Sequence, residues 1–67
     1  MIHIKVNNKA HQFPDKITLD QIISRLDISV NGIAIAINQN IIARADWVTT
    51  TPFDGDAVLI IKATQGG

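Results

Sequence analysis

The chain has 67 residues, with six Lys or Arg, six Asp, no Glu, no Cys and a formal net charge of +0. That length supports one domain, and a neutral chain without a basic stripe lacks the electrostatic footprint for nucleic acid or an anionic membrane. No apolar run approaches the roughly 20 residues that span a bilayer, and without thiols there is neither a disulfide framework nor sulfur chemistry on a side chain. These features fit a cytoplasmic protein.

Ile2, Ile4 and Val6 alternate with His3 and Lys5, the period of two that marks a half-buried strand and not a signal peptide. Asn7-Asn8 follows, and Asn tolerates positive φ, so the pair fits a tight hairpin turn. His11-Gln12-Phe13 is then the returning strand, stopped by Pro14. A two-residue turn sets His11 opposite Ile4 on the core side, an awkward place for an imidazole. Either an edge position or a longer turn relieves this.

Thr18 is placed to cap a helix, with Gln21 completing a capping box and Ile17 and Ile22 forming a hydrophobic staple. Leu19, Ile22, Ile23 and Leu26 share one face at i, i+3, i+4 and i+7, and Arg25 sits where the helix dipole favours a cation. The spacing predicts a helix over Leu19 to Leu26. Ile33 to Ile37 is a strand with large residues on one face and small ones on the other; Ile33, Ile35 and Ile37 are expected in the core. Asn38-Gln39-Asn40 turns into a short strand, Ile41-Ile42. Asp46 is expected to cap a single helical turn around Trp47, itself a core anchor. Asp54-Gly55-Asp56 turns into the apolar strand Val58 to Ile61. Residues 64–67 are expected to form a flexible C-terminal tail. The order is that of an α+β domain with a mixed sheet of four to five strands and one main helix on one face.

Gly66-Gly67 closes the chain directly after a strong strand. That leaves an arm of about four residues reaching roughly 13 Å, and without Cβ atoms it can thread a channel that any side chain would block. Such an arm presents one useful group, its terminal carboxylate. Transfer of AMP from ATP would make it a mixed anhydride that a sulfur nucleophile can attack. Nothing in the chain itself can catalyse this: there is no phosphate loop and no Ser/His/Asp or Cys/His set. The chain reads as a substrate of partner enzymes and not as an enzyme. His3 and His11 without a third ligand do not make a metal site.

The stretch Ile33-Ala34-Ile35-Ala36-Ile37-Asn38, then Ile41-Ile42, Arg44, Trp47, Asp54-Gly55-Asp56, Val58 to Ile61 and the closing Gly66-Gly67, resembles the ThiS family of sulfur carriers in thiamine thiazole biosynthesis. The resemblance covers the whole chain and implies the ubiquitin-like β-grasp fold, with the first and last strands side by side in mid-sheet. It departs at two turns: family members often have Pro where Ala43 stands and Asn-Gly where Asn7-Asn8 stands, and both residues here suit those turns. The implied role is a carrier that binds no cofactor itself. A ThiF-like enzyme would use ATP to adenylate Gly67, with Gln65 and Gly66 completing the arm. A sulfur-transfer enzyme would supply sulfur from a persulfide, and the thiocarboxylate would pass to thiazole synthase.

The alternative of the same class is the small subunit of molybdopterin synthase, which shares the fold and the Gly-Gly end although it is usually longer, or another thiocarboxylate carrier. A ubiquitin-like modifier or plain interaction module is the alternative from another class. The family pattern also implies that Val58 and Ile60 point inward, leaving Leu59 and Ile61 on the open face as a docking patch; a strand covered on both faces is the other reading. Strict alternation would put Lys62 inward, so the strand is expected to end or bend there. Arg44 reads as a solvated cation or as a residue that steers a partner.

Overall fold

The computed structural model describes residues 1–62. The elements run β1 (Ile2–Val6), β2 (Lys9–Phe13), α1 (Leu19–Arg25), β3 (Ile33–Ile37), β4 (Asn40–Ile42), a 3-10 turn over Arg44–Asp46, and β5 (Ala57–Lys62). They form one five-stranded sheet in the order β2-β1-β5-β3-β4. β5 runs parallel to β1 and antiparallel to β3, and the outer strands pair antiparallel with their hairpin partners. The tail expected over residues 64–67, with Gln65, Gly66 and Gly67, lies outside the described residues.

Both hairpins turn in two residues. Asn7 and Asn8 have φ of 52° and 70°, and Asn38 and Gln39 have φ of 49° and 75°. Positive φ at both central residues is what a type I′ turn requires, and its twist matches that of the strands. Asn40, read from sequence as part of the second turn, is already the first residue of β4. The first turn sets His11 opposite Ile4, and the strain is relieved because β2 is an edge strand. His11 is half-buried and stacks on Phe13 with ring centroids 5.8 Å apart.

The helix closes at both ends by recognisable means. Thr18 and Gln21 form the capping box, with the Gln21 side-chain oxygen accepting the Thr18 N–H at 3.0 Å. Two further N–H groups of the first turn donate outside the helix, Leu19 to Thr50 O at 3.1 Å and Asp20 to Trp47 O at 3.4 Å. The helix therefore starts only where the 47–50 segment lies against it. At the other end Leu26 is the cap and not the last helical residue. Asp27 N–H donates to Ser24 O and Ile28 N–H to Ile23 O, the paired bonds of a Schellman motif. Asp27 holds the left-handed position at φ 56°, where glycine is the usual occupant.

The core lies between α1 and one face of the sheet. Ile4, Val6, Phe13, Ile17, Leu19, Ile22, Ile23, Ile35, Trp47, Val58 and Ile60 are buried together, and Ile33 and Ile37 pack against them. Trp47 is buried as expected, and its indole N–H donates to Ile42 O at 3.0 Å. Asp46, however, does not cap a turn around Trp47. The turn begins at Arg44 with Ala43 as its cap, because Asp46 N–H already reaches back to Ala43 O at 2.8 Å. Asp46 instead offers its carbonyl, which accepts from the Thr50 hydroxyl at 2.6 Å.

Ahead of β5, Gly55 turns the chain at φ 91° and donates its N–H to His3 O at 2.8 Å. The Asp54 carboxylate accepts the His3 N–H at 2.6 Å and lies 3.2 Å from His3 Nδ1. Donation from the His3 backbone, then from its ring, holds the Asp54 carboxyl below its ordinary value against a small opposing effect of burial.

Two predictions follow from these local features. Asp27→Gly removes a left-handed residue penalty and a carboxylate from a helix C-terminus, less the extra freedom of glycine in the unfolded chain. It should raise the unfolding free energy by about 0.5–1 kcal/mol in a denaturant titration. Asp54 has a folded pKa below its unfolded one, so its contribution to stability is present above the unfolded carboxylate pKa and is lost as pH falls through the folded one. Thermal melts of Asp54→Asn should therefore show a shallower decline on the acid side than the parent chain.

Candidate functional site

β5 carries the last described residues and divides its side chains by period two. Val58 and Ile60 are buried against the helix, whereas Leu59 and Ile61 are 49% and 41% exposed on the opposite face. The inward-or-outward assignment drawn from the family pattern matches this geometry. β5 continues through Lys62, its last residue, which is exposed. Lys62 faces the helix side in register with Ile33, beyond the end of the core, so its ammonium group meets water and no bend is needed.

The open face gathers more than the two residues expected. Leu59 lies opposite Ala36, and Ala36 lies opposite Ile41 on β4. Ile41 is 65% exposed, yet Ala36 between them is only 3% exposed. A methyl side chain flanked by two long aliphatic ones is sheltered by them. In the next row Ile61 lies opposite Ala34. The result is an aliphatic surface of Ile41, Leu59 and Ile61 on an alanine floor, which makes this face the candidate site. Sequence reading missed Ile41, although the signal was present: adjacent residues of a strand cannot share a face, so one of Ile41 and Ile42 had to point outward.

Arg44 is exposed, and its guanidinium carbon lies 5.7 Å from the centre of the Trp47 ring, a cation–π contact with a residue of the core. Gln65, Gly66 and Gly67 lie outside the described residues, so only the strand that leads to them is seen. His3 and His11 stand on neighbouring strands but out of register, His3 opposite Gln12 and His11 opposite Ile4, so the two imidazoles face opposite sides of the sheet. Among the described residues no three His or Asp side chains gather as metal ligands, and no helix is long and apolar enough to cross a membrane.

A five-stranded mixed sheet with a parallel central pair, one helix on one face and an open aliphatic face defines a β-grasp domain. Comparison with known proteins narrows the class. The chain belongs to the ThiS family, whose family model matches residues 3–67. It is 33% identical over 66 residues to the sulfur carrier protein ThiS of Escherichia coli (strain K12), covering 98% of this chain and 100% of that one. The fold matches the crystal structure of the thiamine biosynthesis protein ThiS from Geobacter metallireducens with a TM-score of 0.84. There the identity is 23%, with 98% of this chain and 100% of the other covered.

If the aliphatic face is a docking surface, polar substitutions on it should leave the fold intact. Leu59→Asp and Ile41→Asp should change the melting temperature little, because each carboxylate stays in water. Ile60→Asp, one residue away, should unfold the domain, since an unpaired buried charge costs several kcal/mol. Circular dichroism melts of the three variants check the assignment, and loss of structure in Leu59→Asp would overturn it.

Proposed function

We propose that this protein is a sulfur carrier: a partner enzyme adenylates Gly67, and the product becomes a thiocarboxylate that donates sulfur for thiamine thiazole synthesis. The observation that carries this reading is the family match, which runs to Gly67 itself, on a chain whose last strand borders an open aliphatic face. The name of the Escherichia coli relative, a sulfur carrier, supports the same class of function.

The chemistry follows from what a carboxylate lacks. A Gly67 carboxylate oxygen attacks the α-phosphorus of ATP, pyrophosphate leaves, and the acyl-adenylate gains a good leaving group. Attack by the terminal sulfur of a protein persulfide expels AMP and forms an acyl disulfide. A second partner thiol then attacks the partner's own cysteine sulfur in that S–S bond, forming a disulfide with it and releasing the thiocarboxylate as the leaving group. The chain has no Cys, so every thiol in this sequence belongs to partners: a ThiF-like adenylating enzyme that binds the ATP, and a sulfur-transfer enzyme. Thiazole synthase would take the product. In this reading the chain is a protein substrate and carrier, binds no cofactor of its own and works in the cytoplasm. Leu59, Ile61 and Ile41 would dock the partner, Arg44, over Trp47, would help steer it, and Gln65 and Gly66 would thread its channel.

Removal of Gly67 should abolish adenylation, followed as ATP–pyrophosphate exchange with a ThiF-type enzyme, while the melting temperature stays unchanged. Gly66→Val should fail in the same assay through a blocked channel. The intact mass of the protein purified from cells should include a species with one oxygen replaced by sulfur. Normal adenylation of the chain ending at Gly66 would sink the reading.

A further inference from the structure

β5 overruns the strand that should hold it. β1 pairs with β5 at only two positions, Lys5 with Ala57 and Val6 with Val58. The parallel ladder runs on through Lys5 N–H to Asp56 O at 3.2 Å and Asn7 N–H to Val58 O at 3.0 Å. There the type I′ turn carries the backbone away to β2, and the N–H and C=O of Ile60 are left without a strand to meet. The Asn7 side chain takes that place. Its Oδ1 accepts the Ile60 N–H at 2.8 Å and its Nδ2 donates to Ile60 O at 3.4 Å. A carboxamide has the same donor and acceptor as a peptide group, so one side chain makes both bonds that a longer β1 would have made.

Ile60 sits between Leu59 and Ile61, two residues before the end of the described chain. We infer that Asn7 is a positioning residue that fixes the line along which β5 delivers the C-terminal arm to the partner enzyme. The inference rests on the carrier reading above. Without the clamp, β3 still holds β5 along one edge, from Ile33 with Lys62 to Ile37 with Val58, so the strand stays in the sheet and the docking face survives. The other edge of β5 is freed beyond Val58, and its root can swing. An arm that swings spends less time with its carboxylate at the ATP α-phosphorus, and misplacement of a reacting group lowers the rate of the chemical step more than binding.

The test separates the clamp from the turn that carries it. Asn8 shares the turn at φ 70°, so Asn8→Ala imposes comparable backbone strain while leaving the Asn7 carboxamide in place. Hydrogen exchange should show the Ile60 amide of Asn7→Ala opening about tenfold faster than that of Asn8→Ala, as loss of a partly buried hydrogen bond requires. Protection at Ile35 reports that the fold is intact. With a ThiF-type enzyme, kcat for adenylation of Asn7→Ala should fall about tenfold with KM for the carrier within about twofold. Asn7→Asp keeps an acceptor for the Ile60 N–H and loses only the donor to Ile60 O, so at neutral pH it should retain more Ile60 protection than Asn7→Ala. Equal Ile60 protection in the two alanine variants, or a fast-exchanging Ile60 with unchanged kcat, would overturn the inference. A parent chain that the enzyme leaves unmodified would overturn the carrier reading, and the arm-positioning role with it, while the exchange data still report on the clamp itself.

Discussion

Everything in this domain hangs on how β5 is held in the middle of the sheet. A central parallel pair needs its ladder bonds, because a buried N–H or C=O without a partner costs more than a made bond contributes. Yet β1 is five residues long and meets β5 over two. The two edges of β5 are held from outside the ladders at three places, two on the β1 side and one on the β3 side. Gly55 and Asp54 tie the entry of β5 to both backbone groups of His3. Asn38 accepts the Ala57 N–H at 3.0 Å with its side chain and donates its own N–H to Ala57 O at 2.9 Å. Asn7 takes Ile60. The two Asn residues sit at equivalent places in the two hairpin turns, so each turn both reverses a strand and holds the neighbour that no strand reaches.

The same economy explains a backbone that works with few glycines. Among the described residues, six non-glycine residues have positive φ, four of them in the two hairpin turns. Asn tolerates this conformation better than most residues because its short amide can bond locally. Glycine at Asn7 or Asn38 would relax the turn and remove the carboxamide from β5. The choice of Asn over Gly at these first turn positions thus follows from the sheet and not from the turn alone.

This accounts for what the sequence made legible and what it did not. Period-two alternation at Ile2, Ile4 and Val6 and the staple and box at Thr18 are local signals, and local signals suffice where neighbours in the chain decide the outcome. The outward Leu59 and Ile61 were legible only through the family resemblance, because period two separates the two faces of an all-apolar strand without saying which is inner. Ile41 was missed since its importance comes from register: only pairing across β3 brings it beside Leu59. The Asp46 expectation failed for a similar reason. A cap residue type was present, but the turn starts where β4 ends, and Trp47 is held from the core side. The carboxamide bonds of Asn7 span 53 residues, and no spacing in the sequence could announce them.

One strand therefore serves two demands that would conflict on any other element. Its inner side, Val58 and Ile60, belongs to the core and cannot change without loss of stability. Its outer side, Leu59 and Ile61, is exposed and free of the core's packing. Period two keeps these demands one residue apart and yet independent, since neither side chain can reach the other face. Only the backbone of β5 is common to both, and that backbone is what Asn7, Asn38 and His3 restrain. Stability and the chemistry of the open face can then vary separately in side chains, but the position of the strand's end cannot: a shift there would move the core residues and the aliphatic face together.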